Sequence, residues 1–151
     1  MPVHAVARRA ALLLVAVCFL AAVSAPFAAE VDRSGLAVAL TTDKAVYAPG
    51  EPVRMVLEVT NRSKTPIVLD FASAQRFDVL ISDEGGAEVW RWSARRMFAA
   101  VLGRETLESD NPRIVYEARV ARGLDPGAYR IRAWITGTTP HFSASLGIRV
   151  R

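Results

Sequence analysis

The chain has 151 residues, 52% of them hydrophobic, with 19 basic against 15 acidic side chains, two histidines and a single cysteine. The charges are scattered without a basic run or stripe, which leaves nucleic-acid binding without support. Cys18 alone cannot build a disulfide framework, and His141 is the only histidine beyond residue 29, so no zinc site of the usual ligands can be assembled.

Residues 1–29 read as a secretory leader. Arg8-Arg9 precede an uncharged run that contains Leu12-Leu13-Leu14-Val15 and ends in Ser24-Ala25-Pro26-Phe27-Ala28-Ala29, a small-residue region suited to cleavage. The alternative is an uncleaved N-terminal anchor, because about 20 apolar residues span a bilayer; the membrane would then be met only through this segment. Removing the leader also removes Cys18, Arg8 and Arg9 and leaves a net charge of +2. In both cases the domain is expected outside the cytoplasm, in a periplasmic or extracellular location. Residues 30–35 read as a short linker and residues 36–151 as one domain. Without disulfides that domain must hold together by its core, and its length suffices.

The domain alternates apolar and polar residues almost throughout. Residues 36–42 open it; Val53, Met55, Leu57 and Val59 then alternate with Arg54, Val56, Glu58 and Thr60, the period of two of a sheet with one buried face. The same pattern recurs at Ile67, Leu69 and Phe71; at Phe77, Val79 and Ile81; over residues 87–93; at Ile114, Tyr116, Ala118 and Val120; at Tyr129, Ile131, Ala133 and Ile135; and at Phe142, Ala144, Leu146, Ile148 and Val150. About eight strands result, joined by turn sequences at Pro49-Gly50, Asn61-Arg62-Ser63, Glu84-Gly85-Gly86 and Asp125-Pro126-Gly127. Short strands with such turns predict an all-β, antiparallel sandwich. Tyr129, two residues before the core position Ile131 and just after Asp125-Pro126-Gly127, has the spacing of the tyrosine corner of immunoglobulin-like domains; an ordinary hairpin with a buried tyrosine fits equally.

Residues 94–102 lack alternation and suggest a short helical turn, with Ser93 as its cap and Met97, Val101 and Leu102 on one face. Residues 103–112 are polar and end at Pro112, as a functional loop or a crossover between sheets would. Trp134, alternating outward with Arg130 and Arg132, makes a stripe suited to contact.

Catalytic groups do not assemble. His141 follows Thr138-Thr139-Pro140 at the entry to the last strand, and no Gly-x-Ser-x-Gly accompanies it, so the chain is expected not to be an enzyme. Asp78, Asp83, Glu84 and Glu88 surround the Gly85-Gly86 turn at spacings that match no calcium loop, and no Gly-rich phosphate loop is present. No metal or cofactor is expected. Asn61-Arg62-Ser63 spells a glycosylation acceptor.

The order Tyr47-Ala48-Pro49-Gly50-Glu51-Pro52-Val53, Val59-Thr60-Asn61, Leu69-Asp70-Phe71, Ser73-Ala74-Gln75-Arg76-Phe77-Asp78, Val89-Trp90-Arg91-Trp92-Ser93, Met97-Phe98 and Leu124-Asp125-Pro126-Gly127-Ala128-Tyr129 resembles the BsuPI-type intracellular proteinase inhibitor domain over roughly residues 36–135. The most specific pieces are Phe71, Ser73, Gln75, Phe77 and Asp78 with Trp90, Trp92 and Ser93; the stretch from Asp43 to Glu51 is also similar to the opening of macroglobulin-type sandwich domains. The resemblance implies an immunoglobulin-like sandwich and a protein partner, a serine proteinase. Candidates for an inhibitory loop are Arg95, Arg96, Met97 and Phe98, with Arg104 in the next segment, and the Trp90 and Trp92 region is expected to brace it. The rival reading is an envelope accessory module that binds protein without inhibiting.

Overall fold

The computed structural model describes residues 27–33, 35–137 and 142–151. Among them are eleven strands and no helix: β1 (Phe27–Arg33), β2 (Leu36–Thr42), β3 (Val46–Tyr47), β4 (Val53–Asn61), β5 (Ile67–Phe71), β6 (Phe77–Asp83), β7 (Glu88–Arg91), β8 (Gly103–Leu107), β9 (Arg113–Val120), β10 (Gly127–Ile135) and β11 (Ser143–Val150). One sheet has the order β1-β2-β4-β9, all antiparallel. A second has the order β3-β11-β10-β6-β7, antiparallel except where β3 runs parallel to β11. A two-stranded ribbon, β5-β8, completes the fold.

The inward-facing residues of β4, Val53, Met55, Leu57 and Val59, are all buried, as are Ile131, Ala133 and Ile135 of β10 and Ala144, Leu146, Ile148 and Val150 of β11. Together with Leu36, Val38 and Leu40 they fill one hydrophobic core between the sheets, to which the ribbon adds Leu69, Phe71 and Leu107. The expected sandwich is thus present.

Three strands exceed the eight expected. β3 has two residues. β8 lies in the segment read as irregular: its inward positions before Leu107 are Gly103 and Glu105, which carry no apolar alternation, and its partner β5 lies some 35 residues earlier in the chain. Residues 27–29, read as the end of the leader, and residues 30–33, read as linker, instead form β1, which pairs with β2 from Phe27↔Thr42 to Arg33↔Leu36. Residues 1–26 of the expected leader, and His141 with Thr138-Thr139-Pro140, lie outside the described residues.

The expected helical turn after Ser93 does not form. Ala94 N–H donates to Arg91 O at 3.3 Å and Arg96 N–H to Ser93 O at 3.0 Å, closing successive tight turns, after which residues 96–102 run without a ladder partner. The Ser93 hydroxyl is no helix cap because it donates to Asp78 Oδ2 at 2.6 Å.

Two corners fix the connections. Tyr129 Oη donates to Asp125 O at 2.9 Å, the backbone bond of a tyrosine corner, while Ile131 two residues on is fully buried. Asn61 is buried and donates through Nδ2 to Thr65 O at 2.8 Å and Leu107 O at 2.9 Å, while Oδ1 accepts from Ser63 N–H and Oγ. The acceptor tripeptide therefore spends its amide on tying β4 to β8. Gly123, at φ +66°, lets the turn after β9 approach the 50–51 backbone, where Gly50 N–H donates to Leu124 O at 3.2 Å.

Candidate binding loop and its brace

The loop that leaves β7 is held at its root by one buried carboxylate. Asp78, on the outer face of β6, accepts from Ser93 N–H at 3.2 Å and Ser93 Oγ at 2.6 Å, and its Oδ1 also accepts from Val79 N–H at 2.9 Å. The Arg91 guanidinium lies 3.5 Å from Asp78 Oδ2 and is itself gripped by Glu88 at 2.6 Å. A buried carboxylate needs such compensation, and the consequence is that the turn after Arg91 is tied to the start of β6, one strand in from the edge of the sheet.

Beyond that root an aromatic column carries the loop. Tyr116 of β9 stacks on Phe77 of β6 with centroids 4.9 Å apart; Phe77 meets Trp92 at 4.2 Å, and Trp92 meets Phe98 at 5.7 Å. Arg96 lies with its guanidinium 4.3 Å from the Trp92 ring centroid and donates through Nε to Trp92 O at 3.0 Å. Farther on, Ala74 N–H donates to Ala99 O at 2.9 Å. Between these fixed points Met97 is 100% exposed, and Val101 and Leu102 are exposed after it.

Of the five loop candidates, Arg95, Arg96, Met97 and Phe98 thus share one segment, with Arg95 and Arg96 exposed and Phe98 half-buried. Arg104 stands apart on β8, directly opposite Asp70 of β5, with its Nε 2.7 Å from Asp70 Oδ1. That hydrogen bond to Asp70, with the attraction of its charge, holds the Arg104 guanidinium pKa above its ordinary value.

The motif residues sort by role. Phe71 and Phe77 are core; Ser73 and Gln75 shape the 72–76 turn, where Gln75 N–H donates to Ser73 Oγ at 3.2 Å and Gln75 Nε2 to Phe77 O at 3.1 Å. Trp90 packs on the core from β7. Sequence reasoning passed over Arg76, which is the hub of this corner. It donates through Nε to Glu105 Oε1 at 2.8 Å and through Nη1 to Ser73 O at 2.8 Å, and its guanidinium lies 4.5 Å from the Phe71 ring centroid. Gly103 leaves the room, since a Cβ there would stand within 3 Å of that guanidinium. The only hint in the sequence is that Arg76 is the one charged residue between Phe71 and Phe77.

Two phenols, Tyr47 buried and Tyr116 half-buried, give the fold an alkaline limit. Tyr116 Oη donates to Glu105 Oε2 at 2.8 Å and Tyr47 Oη to Asp43 Oδ1 at 2.6 Å; burial first, and then these carboxylate acceptors, push both pKa values well above the ordinary tyrosine range. The folded state then keeps protons that the unfolded chain releases, so this stabilisation is complete below about pH 10 and is lost as pH rises from there through the folded pKa. Thermal melts between pH 8 and 11.5 should show the midpoint falling above about pH 10, and Tyr116→Phe should flatten the fall; an unchanged slope in that variant contradicts the assignment.

Comparison with known families decides the class. Residues 40–140 match the family model of the BsuPI intracellular proteinase inhibitor. The chain belongs to the BsuPI intracellular proteinase inhibitor family. The match takes in the root, the aromatic column and the loop. Among solved structures, Spo0M, a sporulation control protein from Bacillus subtilis, is similar at 15% identity and a TM-score of 0.51, over 79% of this chain and 50% of that chain. At that identity the likeness concerns the fold, and this chain spans about half the length of the Spo0M chain. No curated protein matches the chain.

Proposed function

We propose that this member of the BsuPI family is an exported, non-catalytic inhibitor of a serine proteinase, which it engages through residues 95–102. The observation that carries the reading is the exposed segment around Met97, held on both sides against Trp92. A proteinase inhibitor of the substrate-like kind works when its loop is already ordered, because a stiff loop loses little entropy on binding and leaves the enzyme slowly. Here the aromatic column and the Asp78–Ser93 bonds take the part that disulfides take in many small secreted inhibitors. Export is supported by the basic and apolar leader pattern of residues 1–29, which sets this chain apart from the intracellular setting in the family's name.

The test is a titration of the full chain against subtilisin-type, chymotrypsin-type and trypsin-type proteinases, beside a variant carrying Arg95→Ala, Arg96→Ala, Met97→Ala and Phe98→Ala. Stoichiometric inhibition that the variant loses supports the reading. Degradation of the chain by every enzyme, without inhibition, removes it.

A second reading, a protein-binding envelope module without inhibition, is favoured by one other surface. On the outer face of the five-stranded sheet the guanidiniums of Arg91 and Arg132 lie 5.6 Å and 5.8 Å from the Trp134 ring centroid, an aromatic flanked by cations of the kind that anchors interfaces. An intact fold that inhibits nothing in the titration selects this reading.

A further inference from the structure

Resting on the inhibitory reading, we infer that the bond presented to the proteinase is Met97–Phe98, with Met97 filling an apolar specificity pocket, so that the target class has a deep apolar pocket rather than an acidic one. Among the candidates read from the sequence, Arg95, Arg96 and Arg104 would each suit the acidic pocket of a trypsin-like enzyme; the geometry points elsewhere.

The other side chains of the segment are occupied, held close to the ladder or, like Val101 at 53%, less exposed. Arg96 is spent on Trp92, stacked over its ring at 4.3 Å and donating to its carbonyl at 3.0 Å. Arg95 lies inside the tight turn closed by Arg96 N–H to Ser93 O at 3.0 Å, whereas a proteinase binds its substrate extended. Leu102, though 85% exposed, directly precedes Gly103, which is already in the ladder opposite Phe71. Met97 alone combines complete exposure with a backbone outside both turn and ladder, and its unbranched, polarisable side chain suits a deep apolar pocket.

The neighbours of Met97 explain why such a bond would be cut slowly. Attack of the proteinase serine on the Met97 carbonyl breaks the Met97–Phe98 C–N bond, and the serine proton passes through the enzyme's base to the Phe98 nitrogen. In an ordinary substrate that amine then diffuses away. Here Phe98 stays packed against Trp92 at 5.7 Å, Ala99 O stays bonded to Ala74 N–H at 2.9 Å, and on the other side Arg96 is clipped to the same Trp92. Held in place, the Phe98 amine attacks the acyl ester, re-forms the amide and returns the proton to the serine, so the intact inhibitor is regenerated at high effective concentration.

The experiment compares the full chain with Met97→Asp, Met97→Lys and Leu102→Asp, after melting curves confirm that these exposed substitutions leave the fold intact. Inhibition constants are measured against subtilisin-type, chymotrypsin-type and trypsin-type proteinases, and long incubations are analysed for the new N-terminus. The expected result is inhibition of an enzyme with an apolar pocket, weakened on the order of 100-fold by Met97→Asp and less than about 5-fold by Leu102→Asp, at the far end of the engaged segment. Met97→Lys should transfer inhibition to the trypsin-type enzyme, and the slowly formed fragment should begin at Phe98. Inhibition unaffected by Met97→Asp, or a fragment beginning elsewhere, overturns the inference while leaving the inhibitory function standing. Absence of inhibition in the parent chain removes both.

Discussion

Trp92→Ala is expected to remove inhibition and to turn the loop into an ordinary substrate. The ring is the shared support of Phe77, Phe98 and Arg96, at 4.2, 5.7 and 4.3 Å respectively, so truncating it releases both sides of Met97 at once. The fold should lose about 2–3 kcal/mol, less than the roughly 3–5 kcal/mol lost on truncating a fully buried aromatic, because Trp92 is only half-buried. Chemical denaturation gives the stability, and timed digestion followed by mass spectrometry gives the rate of cutting in residues 96–102. Trp90→Ala is the matched control: Trp90 packs on the core from β7 and should lower stability without weakening inhibition. Equal loss of inhibition in both variants would mean that the loop depends on general stability rather than on its brace.

Gly123→Ala should be the most destabilising single methyl in the chain. A Cβ at that position would lie 2.3 Å from the Gly50 carbonyl carbon and 2.5 Å from Glu51 O, both backbone atoms that cannot swing aside, and the residue sits at φ +66°. The left-handed conformation alone costs about 1–2 kcal/mol for a residue with a Cβ, and displacing the 50–51 turn brings the loss to about 3 kcal/mol or a fall of roughly 10 °C in Tm. Gly50→Ala is the comparison. It has a similar φ of +76° but open space around its Cβ direction, so it should show only the conformational part. Equal losses at the two positions would contradict the close-approach argument.

The contrast between strands shows where pattern reading succeeds. β4, β10 and β11 are half-buried and their apolar residues fall at every second position, so the period identifies both the strand and its inward face. β8 adds a single core residue, Leu107, and is otherwise held by its ladder to β5 and by Asn61 donating to Leu107 O, so no apolar alternation reveals it. β1 was hidden differently: its small apolar residues continue those of the leader pattern, and the pairing with β2 is what gives them a role. At the candidate site the residues of the loop were legible as the place where alternation stops. Their orientations were not. Whether Arg96 points at a partner or folds back onto Trp92 depends on where β6 and β9 place Phe77 and Tyr116, which are far apart in sequence. Tyr129 shows the opposite case, for a contact four residues long is fixed by its own turn and could be anticipated from spacing.

On the proposed inhibitory reading the proteinase docks on one edge of the molecule, around residues 95–102, and leaves the Arg91, Arg132 and Trp134 face free. Hydrogen exchange of the full chain, alone and with an equimolar subtilisin-type proteinase whose active-site serine is replaced by alanine, tests that placement directly. The predicted result is slowed exchange confined to the amides of residues 95–102 and the adjoining 72–76 turn. Protection on β6 and β10 beneath Trp134 with an unchanged loop, or no protection anywhere at concentrations that saturate binding, contradicts it.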